Sequence, residues 1–574
     1  MLLSKLKDYA ADERMGDQPA PLYAMTPVAW IVTLDSDGRP VGGPIMRIDP
    51  STARGKRGRD MAAPEVVRAA GIKPLLLTDN GEYTFGRARD PENQERVDKA
   101  HVAYRALVDR CAAETAEPAV LAVQRFYERG GTNLLELGEE WDYGLKGTFE
   151  VILEDGTRCR PIDLPAVQEF WLSVNTPDSD TRDQCLVCGE HKPALDRLRA
   201  KIKGIRGGQS AGTSIISANS EAFESYGLKA SRVAPTCLEC GQAFTRAANA
   251  LIAGEDTRLY VGGATFIFWT RESVGLDFES FWSRPDPAQV KALLDSVRRG
   301  RDASSTIDDT RFYAASLSAS GGRAVVRDWL DTTVGNVKES IGRWFELQQI
   351  VDPRDEDPTG LESPRPLSVF QLAVSTVRKA DDLPVTTSRA LFRSALSGSP
   401  LPLEIAFQAV RRNRAEQGVT RGRAALIKLV LLSRNRQLAK EENHMVALNK
   451  ERPEPAYHCG RLLAVVEQVQ RAAQPGVNTT VVDRFYGAAS STPAVVFGAL
   501  LRDTQPRLAK LDMRRRGGLQ NRLAEVCAQI EGFPKTLSLE QQALFSLGYY
   551  HQRAHDRAKA ISRRASARSG QADR

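Results

Sequence analysis

No stretch of this 574-residue chain approaches the roughly 18 consecutive apolar residues that a membrane helix requires. The opening segment, Met1 to Arg14, is amphipathic and has neither a long apolar core nor a small-residue cleavage site, so it does not read as a secretory signal. These absences lead to the expectation of a cytoplasmic, reducing environment and no membrane partner, in which the eight cysteines act as metal ligands or buried thiols. Catalytic signatures are missing too. No Gly-Lys-Ser/Thr closes a glycine-rich loop, which argues against a bound nucleoside triphosphate. His551 and His555 lie four apart without the His-Glu-x-x-His glutamate. Thr236 separates Pro235 from Cys237, and His191 follows Glu190, so the zinc deaminase pattern fails. Two-metal nuclease chemistry needs scaffolded acid clusters, whereas Asp180 to Asp183 and Asp352 to Asp357 lie in linker-like surroundings. Methionine is absent between Met61 and Met445.

What is present is more telling. Two knuckles, Cys185-Leu186-Val187-Cys188-Gly189 and Cys237-Leu238-Glu239-Cys240-Gly241, each place two thiolates at the spacing that reaches one tetrahedral cation. Together they supply four ligands and leave no open position for substrate or water, which predicts one structural Zn2+. Cys111, Cys159, Cys459 and Cys527 stand alone and read as buried thiols.

Charge is unevenly placed. From Met445 to Arg574 there are 20 Lys/Arg against 11 Asp/Glu, a surplus of nine, which leaves the preceding residues at −2 of the overall +7. A basic C-terminal piece on a nearly neutral body predicts a polyanionic partner such as nucleic acid.

Length alone suggests about three domains. The first part reads as mixed α+β with an antiparallel sheet: hairpins over Val28 to Ile48 (turn Asp37-Gly38), Leu75 to Phe85 (turn Asn80-Gly81), Thr148 to beyond Asp155-Gly156, and Arg258 to Thr270 (turn Gly262-Gly263), with helices over Pro91 to Cys111 and Pro118 to Arg129. After Phe278 helical periodicity takes over, at Asp286 to Val297, Gly321 to Phe345, Leu367 to Val377 and Leu403 to Arg412. The fold class expected is α+β: an N-terminal α/β region (1–280) with antiparallel hairpins and a zinc-knuckle insertion (185–240), a helical connector (281–351), a Pro- and Asp-rich linker (352–366), and an all-α C-terminal bundle (367–574).

Between the knuckles runs Lys201-Ile202-Lys203-Gly204-Ile205-Arg206-Gly207-Gly208-Gln209-Ser210-Ala211-Gly212-Thr213-Ser214. Glycines let backbone N–H groups approach a phosphate, cations neutralise it, and glutamine can bond a base edge. On composition this is either a nucleic-acid contact or a flexible surface loop. A second cationic loop holds Arg54, Lys56, Arg57 and Arg59 and reads as a solvated loop.

The run continues as Ile215-Ile216-Ser217-Ala218-Asn219-Ser220-Glu221-Ala222-Phe223-Glu224-Ser225-Tyr226-Gly227. Further on come Tyr457-His458-Cys459-Gly460-Arg461 and Arg484-Phe485-Tyr486-Gly487-Ala488-Ala489-Ser490-Ser491-Thr492-Pro493. In this order, over nearly the whole chain, these motifs resemble the large subunit of the type I-C CRISPR Cascade surveillance complex. The resemblance implies a non-catalytic subunit of an RNA-guided antiviral assembly. It would recognise the protospacer-adjacent motif in duplex DNA, assist unwinding and R-loop formation, and recruit a helicase-nuclease in trans. The implied partners are the guide RNA-containing complex with its backbone, foot and small subunits, target duplex and the displaced strand.

On that basis Lys201, Lys203 and Arg206 are expected to hold phosphates, with Ser210 beside them. Gln209 and Asn219 are candidates for base-edge or wedge roles, and Asn219 reads equally as a cap for Ala222 to Tyr226. The resemblance further implies a small subunit made by internal initiation. Here Lys440-Glu441-Glu442 can be encoded by a purine-rich ribosome-binding sequence just before Met445, which would release the basic piece Met445 to Arg574. In that piece Arg514, Arg515, Arg516 and Arg522, and the tail cations Arg553, Arg557, Lys559, Arg563 and Arg564, are the expected backbone contacts, although some are positioned to pair with Asp512 or Asp556. The alternative is a stand-alone zinc-containing RNA-binding or RNA-processing protein.

Overall fold

The computed structural model describes residues 1–16, 19–49, 51, 57–66, 71–135, 137, 141–176, 182–198, 200–218, 220–275, 277–298, 306–352, 365–435 and 445–572. The chain divides into two compact units, 1–202 with 214–250 and 203–213 with 251–574. The α+β class holds.

The first unit opens with helix α1 (Leu2–Ala10), which buries Leu2 and Leu6. Strands β1 (Tyr23–Val28), β2 (Trp30–Asp35), β3 (Ile45–Met46) and β4 (Arg59–Pro64) follow, with β1 antiparallel to β4 and β2 antiparallel to β3. Next are β5 (Thr78–Asn80) and helices α2 (Gly81–Phe85), α3 (Gln94–Thr115) and α4 (Pro118–Glu128). The unit continues with β6 (Lys146–Ile152), β7 (Arg158–Cys159) and α5 (Pro165–Asn175). The larger sheet runs β3-β2-β6-β5, with β7 paired to β6.

Two features depart from expectation. The sheet is mixed, because β2 and β6 pair in parallel. Parallel partners need a long crossover, and α3 and α4 lie in the stretch between them. Asn80-Gly81 begins a helix instead of turning a hairpin. The Asn80 side chain accepts from the Tyr83 N–H at 3.3 Å, and buried Asp79 accepts from the N–H groups of Leu75 and Asn80, each at 2.8 Å. Once those donors are satisfied, Asn80 acts as an N-cap. Trp30 stacks on Phe85 at 4.8 Å and lies over Gly147, where an added Cβ would fall 1.9 Å from the indole.

The unit ends with the hairpin β8 (Arg182–Gln184) and β9 (His191–Pro193), then helix α6 (Leu238–Ala253) up to residue 250.

In the second unit β10 (Arg258–Val261) and β11 (Ala264–Thr270) form the expected hairpin. Helices α7 (Phe278–Ser283), α8 (Pro287–Arg298) and α9 (Thr306–Asp309) lead to β12 (Arg311–Ser320) and β13 (Arg323–Thr333), completing the antiparallel order β10-β11-β12-β13. Here the helix expected over Gly321 to Phe345 is corrected: it begins only with α10 (Val334–Gln348). A β-bulge accounts for the difference. Ser316 pairs with Asp328 but Leu317 with Val326, leaving Arg327 as an extra residue. The insertion breaks strict alternation, so Val325, Val326, Trp329 and Leu330 imitate a helical period.

Helices α11 (Val369–Val374), α12 (Val385–Ser397), α13 (Leu403–Glu416) and α14 (Arg421–Arg434) share a core with this sheet, centred on Phe266, Phe268, Phe312 and Phe392. Of the linker expected at 352–366, residues 353–364 lie outside the described ones. The chain then forms α15 (Pro455–Ala473), α16 (Val481–Ala489), α17 (Pro493–Ala509), α18 (Met513–Cys527) and α19 (Leu539–Ala572).

These last five helices enclose a core of their own, and every buried member of it lies between Ala456 and Tyr549. Its axis is the crossing of α15 and α19, made close by two glycines. A Cβ at Gly460 would stand 2.0 Å from the Phe545 carbonyl oxygen, and one at Gly548 1.9 Å from that of Tyr457. Beside the crossing, fully buried Arg461 donates to Glu525 (2.9 Å) and Gln552 (3.2 Å). Its Nη1 lies 3.0 Å from His458 Nδ1, whose Nε2 lies 2.7 Å from the Arg452 carbonyl. That arrangement places the histidine proton on Nε2 and leaves Nδ1 to accept from the arginine.

Candidate metal centre and nucleic-acid interface

The two cysteine pairs meet. The sulfurs of Cys185, Cys188, Cys237 and Cys240 all lie within 4.8 Å of one another, with Cys185, Cys237 and Cys240 buried and Cys188 half-buried. The first pair sits in the turn of the β8–β9 hairpin, where the Cys185 N–H donates to the Glu190 carbonyl (2.9 Å) and the Gly189 N–H to the Cys185 carbonyl (2.8 Å). Gly189 takes φ +80°, which a glycine adopts without strain. The second pair straddles the start of α6, and the Cys237 N–H donates to the Cys185 sulfur at 3.4 Å.

Burial pushes the Cys185 thiol up, but N–H groups of Cys188, Cys237 and Val187 aimed at its sulfur outweigh that and bring it down to about 7. Burial holds the Cys237 and Cys240 thiols above their ordinary range. Several buried sulfurs this close cannot all ionise unaided; a divalent cation among them removes the obstacle. Zn–S bonds of about 2.3 Å give a tetrahedron with edges of about 3.8 Å, so the cluster fits one such ion. Just outside, Lys192 bridges Glu190 and Glu239 at 2.9 Å each.

In the first unit Lys201 is half-buried, and its carbonyl accepts from Asn249 at 3.1 Å. The loop 203–213 belongs to the second unit and is built onto the four-stranded sheet. Ile205 and Thr213 are buried beneath it. The Arg206 N–H donates to Thr265 Oγ1 (3.0 Å), and the Tyr260 hydroxyl to the Gly204 carbonyl (3.1 Å). Gly204 has φ +81°, and a Cβ there would meet Ile252 at 2.7 Å. The Arg206 guanidinium stacks over Tyr260 at 4.9 Å and donates to the Gly262 carbonyl at 2.8 Å. Lys203, Arg206, Gln209 and Ser210 are exposed. A Cβ added at Gly322, in the β12–β13 turn, would stand 3.3 Å from Gln209 Oε1.

Thus a fixed strip of donors faces solvent. Tyr260, Gly262 and Thr265, which hold it, were not singled out in the sequence; only the Gly262-Gly263 turn was legible, not what would rest on it. Asn219 lies outside the described residues, and of Ala222 to Tyr226 only the first two residues are helical, as the end of a single 3-10 turn, Glu221–Phe223. Arg54 and Lys56 lie outside them as well, while Arg57 and Arg59 are exposed.

In α18 the Arg514, Arg515 and Arg516 side chains are exposed, and Arg515 pairs with Asp512 at 3.4 Å. Arg522 is engaged internally, donating to Gln468 (2.7 Å) and to Asp556 (2.8 Å). Arg553 donates to the Tyr549 hydroxyl (3.1 Å) and pairs with Glu467 at 3.6 Å. Arg557 and Lys559 are exposed, whereas the side chains of Arg563 and Arg564 lie outside the described ones. Lys440 to His444 also lie outside the described residues; Met445 is buried at φ +52°.

A family described as CRISPR-associated protein (Cas_Csd1) matches this chain over residues 6–556. The chain belongs to that family. It is therefore a CRISPR-associated protein and, in general terms, a Cascade-type large subunit. No curated protein matches the chain. The matched span takes in the four cysteines, the loop at 203–213 and the crossing of α15 with α19. Among the described residues of this Cas_Csd1 member, no helix is long and apolar enough to cross a membrane.

Proposed function

We propose that this chain is the non-catalytic large subunit of a type I-C surveillance complex. It binds duplex DNA at the protospacer-adjacent motif, assists opening of the duplex and recruits a helicase-nuclease supplied in trans. The observation that carries this reading is the Cas_Csd1 match from residue 6 to 556. The loop at 203–213 supports the DNA contact: exposed Lys203, Arg206, Gln209 and Ser210 are displayed on a strip tied to the sheet, so little order has to be gained on binding. One structural Zn2+ held by Cys185, Cys188, Cys237 and Cys240 ties the β8–β9 hairpin to the start of α6.

The core that α15 to α19 enclose supports a second product beginning at Met445, while Met445, Tyr457, Ala543, Leu547, Tyr550 and Ala554 of the same stretch pack into the core shared with the sheet. A polypeptide started at Met445 keeps every buried member of the core that α15 to α19 enclose. Exposed Arg514, Arg516, Arg557 and Lys559 would run free copies along a single strand.

The test is a native pull-down through a C-terminal tag, with proteins read by intact mass and bound nucleic acid sequenced. A short product starting at Met445, several further subunits and a spacer-containing RNA are expected. A lone full-length protein carrying mixed RNA would overturn the proposal in favour of a stand-alone zinc RNA-binding protein.

A further inference from the structure

Within the first unit, residues 220–229 are exposed or half-buried, and beyond them the Ala230 carbonyl accepts from the Ala218 N–H at 3.0 Å. The base of this segment is fixed by buried Ser231. The Ser231 N–H donates to the Asp196 carbonyl (2.9 Å), and its hydroxyl accepts from the Leu198 N–H (2.8 Å) and donates to the Ile216 carbonyl (3.3 Å).

The tip is a two-residue turn. Ser225 and Leu228 form an antiparallel bridge, and the Leu228 N–H donates to the Ser225 carbonyl at 2.9 Å. The two central residues, Tyr226 at φ +54° and Gly227 at φ +71°, have the φ signs of a type I′ turn. Such turns favour Asn-Gly. A tyrosine in the left-handed region is an outlier, and strain of this kind persists where function requires it. No packing offsets it, because Tyr226 is 98% exposed. Phe223, 50% exposed, and exposed Lys229 stand on the same segment, and the tip from Ser225 to Lys229 contains no acid; Glu221 and Glu224 precede it.

The rings of Tyr226 and Phe223, set among serine, glycine and lysine, do not make the large contiguous apolar patch that marks a protein-docking site. The Tyr226 ring suits the π-face of a base beside a phosphate. We infer that Tyr226 is a stacking finger for an unpaired nucleobase where a duplex opens, an inference that rests on the nucleic-acid reading above.

The experiment uses the full chain with forked DNA carrying 2-aminopurine at the first unpaired position, alongside an unforked duplex of the same sequence and a forked RNA. Wild type should quench the probe. Tyr226→Asn, which installs the residue the turn prefers, should keep or raise the thermal midpoint, abolish quenching, weaken fork binding roughly 5- to 150-fold and leave unforked duplex binding unchanged. Tyr226→Trp should retain quenching. Equal quenching of RNA and DNA forks supports recognition of any unpaired base, and quenching of the DNA fork alone supports a DNA-specific finger. Fork binding and quenching by Tyr226→Asn equal to wild type would overturn the finger while leaving the nucleic-acid reading standing. Failure of wild type to bind any of the three probes would overturn both. Loss of a protein partner with unchanged fork affinity would assign the tip to protein docking and overturn the finger.

Discussion

Replacing Lys428 with methionine should stabilise the second unit at neutral pH. Lys428 lies mid-way along α14, fully buried among Leu426, Ile427, Leu429 and Val430. Its Nζ donates to the Gln349 carbonyl, and no carboxylate pairs with it among the described residues. Burial alone pushes its pKa down to about 7. In the unfolded chain the same amine titrates near 10.4, so between those values the unfolded state binds the extra proton and stability rises with pH. At about 1.4 kcal/mol per unit, folding at pH 7 carries a penalty of about 4 kcal/mol that disappears once pH exceeds about 10.4. Methionine removes the penalty but strands the Gln349 carbonyl, a loss of about 1–3 kcal/mol. The expected net gain for Lys428→Met is therefore about 1–3 kcal/mol at pH 7; the sign reverses between about pH 8 and about pH 9.7, and at about pH 10.5 the variant is the less stable. Urea unfolding followed by tryptophan fluorescence at both pH values, always as the difference from wild type, measures this. A variant less stable than wild type at pH 7, or a difference that does not change with pH, would refute the reasoning.

Metal analysis should find about one zinc per chain, and Cys240→Ser should lose it; because ligands must be thiolates, the metal should leave as pH falls. Protein purified without metal and indifferent to chelator would contradict the site. Gly460→Ala should cost about 3 kcal/mol or more, since its Cβ would meet the Phe545 backbone oxygen at 2.0 Å and a helix cannot step aside as a side chain can; urea midpoints check it. Expressed alone, Met445–Arg574 should give a helical spectrum and a cooperative melt, and a molten product would count against folding on the core of α15 to α19 alone. Arg514→Ala should lower the slope of log affinity against log salt by about 0.7–0.9. Arg522→Ala should leave that slope unchanged and lower stability, because half-buried Asp556 loses its cation and keeps only the Gln552 amide.

Patterns confined to neighbouring residues were legible in the sequence. The hairpin at Arg258 to Thr270, the helices around Pro91 to Cys111 and Pro118 to Arg129, and the knuckle spacing depend on contacts a few residues apart, so local periodicity and turn chemistry specify them. The charge surplus after Met445 was countable, but not which arginines remain available: Arg522 is drawn to Asp556 on α19, thirty-four positions away, while Arg514 and Arg516 face water.

Other features were decided only by long-range packing. The Arg327 bulge hid a strand beneath a helical period, and capping by Asn80 turned an apparent hairpin into a helix. The glycine loop was compatible with a flexible tether until Thr265, Tyr260 and Gly262, more than fifty positions on, were placed under it. The sequence by itself determined the chemistry on offer: four thiols in two pairs, a cationic glycine-rich strip and a basic tail. Tertiary structure decided which of these groups meet and which stay exposed, because burial and pairing depend on residues far apart in the chain that only the folded packing brings within bonding distance.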